Sequence, residues 1–115
     1  MQEVREMEAV VRFTPETATV HFSGALRLAN VKAYDNVAKL LAEAAAAVDG
    51  PLTLDFKELK FLNSSGITAL SLFVVGARKA GRPQLRLLGS KANAWQQKSL
   101  GNFQMLWKDM ALVIE

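Results

Sequence analysis

The chain has no cysteine and a single histidine, His21. Without thiols there is neither a disulfide framework nor a thiolate metal site, and one imidazole does not make a ligand cluster. Prolines number three, and the seven glycines are scattered, so no Gly-x-Gly-x-x-Gly turn or P-loop is present to cradle a phosphate. The Gly-x-Ser-x-Gly elbow of serine hydrolases is missing too, because Asn63-Ser64-Ser65-Gly66 lacks the first glycine and the spacing. No apolar run approaches the roughly 20 residues that span a bilayer. The opening segment, Met1 to Glu8, is charged and lacks the apolar stretch of a secretory signal. Aromatic residues make up 8% of the chain and do not interleave with the basic ones, as a base-stacking surface requires. These absences point away from catalysis by the chain alone and away from a cofactor. They lead us to expect a cytoplasmic protein with no membrane insertion and no nucleic-acid partner.

What remains is ordinary globular material. With 115 residues, half of them apolar, the chain suits one domain with a real core. The net charge of +3 is unevenly spread. From Arg78 to Lys108 the ionised residues are all basic (Arg78, Lys79, Arg82, Arg86, Lys91, Lys98 and Lys108), whereas the segment up to Glu16 is acid-rich. Such a basic half is either a solvated face or an attractor for an acidic partner.

Periodicity orders the elements. Glu8 to Phe13 and Thr17 to Phe22 read as a hairpin about Thr14-Pro15-Glu16, with Gly24 ending its second strand. Asn30 is a suitable cap for a helix from Val31 to about Val48, with Val37, Leu40, Leu41 and Ala44 as its apolar stripe and Asp49-Gly50-Pro51 as its stop. Leu52 to Phe56 reads as a third, central strand. A second helix follows the Asn63-Ser64-Ser65-Gly66 stretch and runs to about Ala80, carrying Ile67, Leu70, Val74 and Ala77 inward. Leu85 to Leu88 is a fourth strand, a third helix starts near Lys91 with a possible break at Gly101-Asn102, and Met110 to Ile114 closes the chain as a fifth strand. Trp95, Phe103 and Trp107 are expected in the core or its packed rim. His21 sits in a strand and beside no carboxylate or serine in sequence, and Asp55 and Glu58, close to each other, read as an ordinary polar edge at a strand end and the turn after it, not as an acid and base pair.

The strand-to-helix junction carries the most information. A helix start exposes unpaired N–H groups, and one Ser or Asn suffices to cap it; two serines exceed that need. Of the pair, Ser65 is the expected cap. A phosphate on Ser64 would sit at the positive end of the helix and add roughly two negative charges to an uncharged loop. Gly66 would leave the backbone open to an approaching molecule.

From Asp55 through Phe61-Leu62-Asn63-Ser64-Ser65-Gly66-Ile67 the sequence resembles the signature of STAS domains, the fold of bacterial anti-sigma factor antagonists, whose motif reads approximately Asp-Ser-Ser-Gly-Leu. The resemblance covers nearly the whole chain. It implies one STAS-like α/β domain over 1–115, a mixed sheet of about five strands with helices mainly on one face. It also implies a small protein-binding module of a partner-switching system. In that reading Ser64 is the phosphoacceptor of a partner protein kinase of the anti-sigma type, or the contact of another signalling protein, and a phosphatase resets it. Leu26, Arg27, Asn30, Asn63, Ser65, Gly66 and Ile67 would form the partner-binding surface. The chain departs from the pattern with Asn63 in place of the acid before the serines, and with Arg27 where an acidic residue is common. STAS domains also serve as constitutive, unphosphorylated subunits, for example beside a lipid-transport ATPase, and this is the alternative. A nucleotide sensor would need the cradle that is missing.

Overall fold

The computed structural model describes residues 2–115 as six strands and three helices. The strands are β1 (Glu3–Glu6), β2 (Ala9–Thr14), β3 (Thr19–Leu26), β4 (Leu52–Leu62), β5 (Leu85–Gly89) and β6 (Ala111–Ile114). The helices are α1 (Asp35–Ala47), α2 (Ser64–Ala80) and α3 (Ala94–Leu106), and a 3-10 turn over Val31–Tyr34 leads into α1. Spatial order equals chain order, β1 to β6. β1, β2 and β3 form an antiparallel meander, while β3 to β6 run parallel, each joined to the next through one helix.

Alternation along the strands shows which side is covered. Val20 and Phe22, Leu52 and Leu54, Leu85 and Leu87 are at most 1% exposed, while His21, Asp55, Arg86 and Val113 lie on the other face, open to solvent to differing degrees. The helices therefore sit on one face, and the apolar set forms one continuous core with Phe22 stacked on Phe56 at 4.5 Å. Parallel neighbours added in a single direction with crossovers of one hand place every helix on the same side. Among the described residues, no helix is long and apolar enough to cross a membrane.

Four features depart from the sequence reading. The sheet has six strands, because Glu3–Glu6 pairs with β2; its only inward apolar residue is Val4, too sparse a pattern to register as a strand. β3 continues past Gly24 to Leu26, and Gly24 takes φ +84° where an added Cβ would run into the Glu8 carbonyl. β4 continues six residues beyond Phe56. Its register against β3 shifts between His21 and Ser23 and again between Gly24 and Ala25, each shift adding a residue to β4. The buried positions consequently fall at Phe56, Leu59 and Leu62, a spacing of three that hides the strand from a period-two reading. The α3 helix is continuous through Gly101-Asn102.

The extension of β4 outruns β5, which pairs only with Leu52 to Asp55. Side chains at the start of α3 occupy the vacated edge. Asn93 Nδ2 donates to the Lys57 carbonyl (3.0 Å), Trp95 Nε1 to the Leu59 carbonyl (3.2 Å), and the fully buried Gln96 Nε2 to the carbonyls of Phe56 (2.6 Å) and Leu59 (3.0 Å). Gln96 Oε1 in turn accepts from the Ser90 N–H at 2.6 Å.

Candidate functional site

The junction lies where β4 hands over to α2. Leu62 is buried and anchors the end of the strand, Asn63 is extended at φ −79° and ψ 174°, and Ser64 is the first helical residue. The cap is Asn63, not Ser65: its Oδ1 accepts from the Gly66 N–H at 2.9 Å. The same oxygen accepts from the Tyr34 hydroxyl at 2.6 Å, and Asn63 Nδ2 donates to the Leu28 carbonyl at 2.8 Å. The Leu28 N–H returns to the Tyr34 oxygen at 3.3 Å, closing a ring of three bonds among Asn63, Leu28 and Tyr34, with the Gly66 bond as a branch. Burial pushes the Tyr34 hydroxyl above the usual tyrosine range, so it stays a donor to Asn63 at neutral pH.

This ring gives Asn63 a role that the acid of the motif it resembles would not fill. An aspartate at 63 would still accept from Gly66 and Tyr34, but its second oxygen would face the Leu28 carbonyl where Asn63 presents an N–H. Asn63 therefore tethers the β3–α1 loop to the helix start.

Gly66 is likewise committed to the interior. A Cβ there would lie 2.4 Å from Leu62 Cδ1 and 2.8 Å from the Tyr34 oxygen, so the space beside this glycine is filled by the chain itself and is not open to a second molecule. Gly66→Ala is expected to lower stability by about 1–3 kcal/mol by displacing Tyr34 from the ring. Chemical denaturation of the variant beside the parent checks this. An unchanged midpoint would mean that Tyr34 is loosely held.

The remaining sequence-predicted residues divide by burial. Leu26 is 1% exposed, its carbonyl accepts the Asn63 N–H at 3.0 Å, and it belongs to the core instead of the surface. Asn30 caps the 3-10 turn, accepting from the Ala33 N–H at 3.0 Å. Arg27 is exposed, lies 4.9 Å above the Phe61 ring and pairs with Glu8 at 3.0 Å. Ile67 packs partly against the core, and Ser65 is half-buried. Ser64 is exposed, and its carbonyl accepts from the Thr68 hydroxyl one turn on at 3.1 Å. With Asn63 as cap, the Ser64 hydroxyl is not needed to finish the helix.

Sequence reasoning missed the apolar groove along α2. An open groove of about 300 Å³ runs between the start of α1 and the outer side of α2, lined by Val31, Tyr34, Ala38, Ala69, Leu72 and Phe73, with Asp35 on its rim. Leu72 is 62% exposed, Val31 37% and, across the junction, Phe61 40%. The only sequence signal for it is that Leu72 and Phe73 lie outside the inward stripe Leu70, Val74, Ala77. On the open sheet face, register brings His21 Nδ1 to 3.4 Å from Asp55 Oδ2, a pairing invisible in linear order. Among the described residues no group of three or more His, Cys, Asp or Glu is placed to hold a metal ion.

No family model matches the chain, and no curated protein matches it. Solved structures do. In the crystal structure of diguanylate cyclase SiaD in complex with its activator SiaC from Pseudomonas aeruginosa, one chain matches with a TM-score of 0.72 at 19% identity, covering 100% of both chains. Apo-SiaC from the same organism matches with a TM-score of 0.71 at 16% identity, over 100% of this chain and 99% of that one. A third structure, of SiaC from the same organism, gives 0.62 at 19%, over 99% of this chain and 96% of that one. At these identities the likeness establishes the fold, and this chain shares its single α/β domain with SiaC.

Proposed function

We propose that the chain is a small regulatory binding module of a bacterial partner-switching system, STAS-like in kind, that docks a signalling enzyme through the end of the molecule bearing Ser64. The observation that carries this reading is the exposed Ser64, released from capping by Asn63 at the start of α2, the helix whose Ala69, Leu72 and Phe73 line the groove further along. An apolar surface on the helix that starts with a modifiable hydroxyl suits a contact that is made when Ser64 is bare and broken when it is charged. The naming of SiaC as activator of a diguanylate cyclase supports a partner of the signalling-enzyme class. Ser64 is then the substrate of a protein kinase, which brings its own base, metal and ATP, and a phosphatase restores the bare form. Arg27, Asn30, Ser65 and Ile67 border the docking surface, while Asn63 and Gly66 shape it from within.

A charge set in a desolvated interface costs several kcal/mol, so phosphorylation weakens docking. The test joins two measurements. Peptide mass spectrometry on protein from its own cells asks whether Ser64 carries a phosphoryl group. Titration of the co-purified signalling enzyme should show Ser64→Ala binding like the parent and Ser64→Asp binding at least about tenfold more weakly. An unmodified Ser64 across growth conditions, together with equal affinities for both variants, would replace the switch by the constitutive-subunit reading.

A further inference from the structure

The two edges of the sheet differ. β1 carries Glu3, Arg5 and Glu6, and Glu3 binds Arg5 at 2.9 Å and Arg12 at 3.1 Å, the charged edge that discourages pairing with another strand. β6 reads Ala111-Leu112-Val113-Ile114, with no charge and no proline, and pairs with β5 without a register shift. Its backbone phase follows from Glu115, whose N–H bonds the Gly89 carbonyl at 2.9 Å and whose carbonyl accepts from Lys91 at 3.2 Å. Parallel pairing alternates, so Ala111 and Val113 also turn inward to β5, and Leu112 and Ile114 present their N–H and C=O groups outward. These four groups have no hydrogen-bond partner among the described residues.

We propose that this edge takes a second copy of the chain, with the two β6 strands antiparallel about a two-fold axis at Val113 and the two sheets joined into one. Three features select this occupant and register. Leu112 then stands opposite Ile114 of the second copy and the reverse, which uses all four outward groups of each strand; moving the axis by one residue pairs fewer of them. Val113, 36% exposed, meets its own counterpart in a non-hydrogen-bonded pair, where side chains approach most closely. The charges also fit: Ala111 stands opposite Glu115 of the second copy and beside Arg86 in the ladder of β5. Arg86 is exposed and has no ion-pair partner among the described residues. Ala111 offers only a methyl group between them, so the guanidinium reaches the Glu115 carboxylate of the second copy across one strand. Lys57 and Glu115 already meet in this way, 3.1 Å apart from strands two places distant. The symmetry repeats the pair on the other side of the axis.

The contact is short, so association is expected to be reversible and concentration-dependent. Sedimentation velocity of the full chain, from micromolar to near-millimolar concentration, should show monomer passing to dimer. Val113→Lys sets two like charges on the axis and should weaken association at least about tenfold, with an unchanged melting curve confirming the fold. Arg86→Glu alone and Glu115→Arg alone should each weaken it, and the double variant R86E/E115R should restore it. Ser64→Asp, remote from the edge, should dimerise like the parent, which separates this inference from the switch. A monomer at every concentration overturns the proposal, as does a dimer indifferent to Val113→Lys or a double variant no better than the singles.

Discussion

Replacement of Gln96 by leucine is expected to lower the unfolding free energy by about 3–5 kcal/mol, the largest effect of any single substitution considered. Leucine is close in volume, so the loss is of hydrogen bonding and not of packing. The buried Phe56 carbonyl and the half-buried Ser90 N–H would be left without partners, since Gln96 supplies both. The Leu59 carbonyl keeps its bond from Trp95 Nε1 and loses only one of two. Each orphaned group costs about 1–3 kcal/mol; the second bond lost at Leu59 lifts the lower end of their sum and the partial exposure of Ser90 trims the upper end. The measurement is the denaturation midpoint and slope of Q96L against the parent. A loss under about 1 kcal/mol would mean that water reaches the β4 extension and that the side-chain clamp is dispensable.

Asn63→Ala is expected to cost about 2–4 kcal/mol. It removes the acceptor shared by Gly66 and Tyr34 and the donor to Leu28, and it leaves the first turn of α2 uncapped. Half-burial of Asn63 lets water replace part of this, which keeps the range below that of a fully enclosed site. Asn63→Asp is the sharper probe, because it installs the acid of the motif that the sequence resembles. At neutral pH its second carboxylate oxygen would face the Leu28 carbonyl, so a deficit of about 1–2 kcal/mol is expected in spite of the favourable helix dipole. That repulsion raises the folded-state pKa of the new carboxyl above its unfolded value near 3.9. The protonated form can donate to Leu28, so the deficit is smallest below the unfolded pKa and grows as pH rises through the folded one. Stability profiles of N63D and the parent from acid to neutral pH would test the sign. A gap that narrows towards neutrality would show that the dipole outweighs the carbonyl contact.

The same residues mark how far sequence reasoning reached. The Asn30 cap, the apolar stripes of α1 and α2, and the end of α2 near Ala80, after which Gly81 adopts φ 76°, were legible because each depends on neighbours within one turn. The junction could be located for the same reason. Its internal roles could not: Ser65 was expected to cap and Asn63 to face a partner, but the reverse commitment of Asn63 depends on Tyr34 and Leu28, 29 and 35 residues away. Gly66 owes its identity to Tyr34 as well. Leu26, placed in a loop by the reading that ended β3 at Gly24, is core because β3 runs on beside the bulged β4.

Local physical chemistry in the sequence by itself determined the α/β class, the helix and strand succession from β2 to β6, the inward faces and the exposed start of α2 at Ser64. Those properties follow from periodicity, capping and turn chemistry, whose range is a few residues. Only the tertiary structure decided the sixth strand, the length of β4, the Gln96 clamp, the Val31–Leu72 groove and the bare edge of β6. Each of these depends on which backbone groups and apolar faces find partners far away in the chain, and that is settled by register and packing, which no local pattern contains.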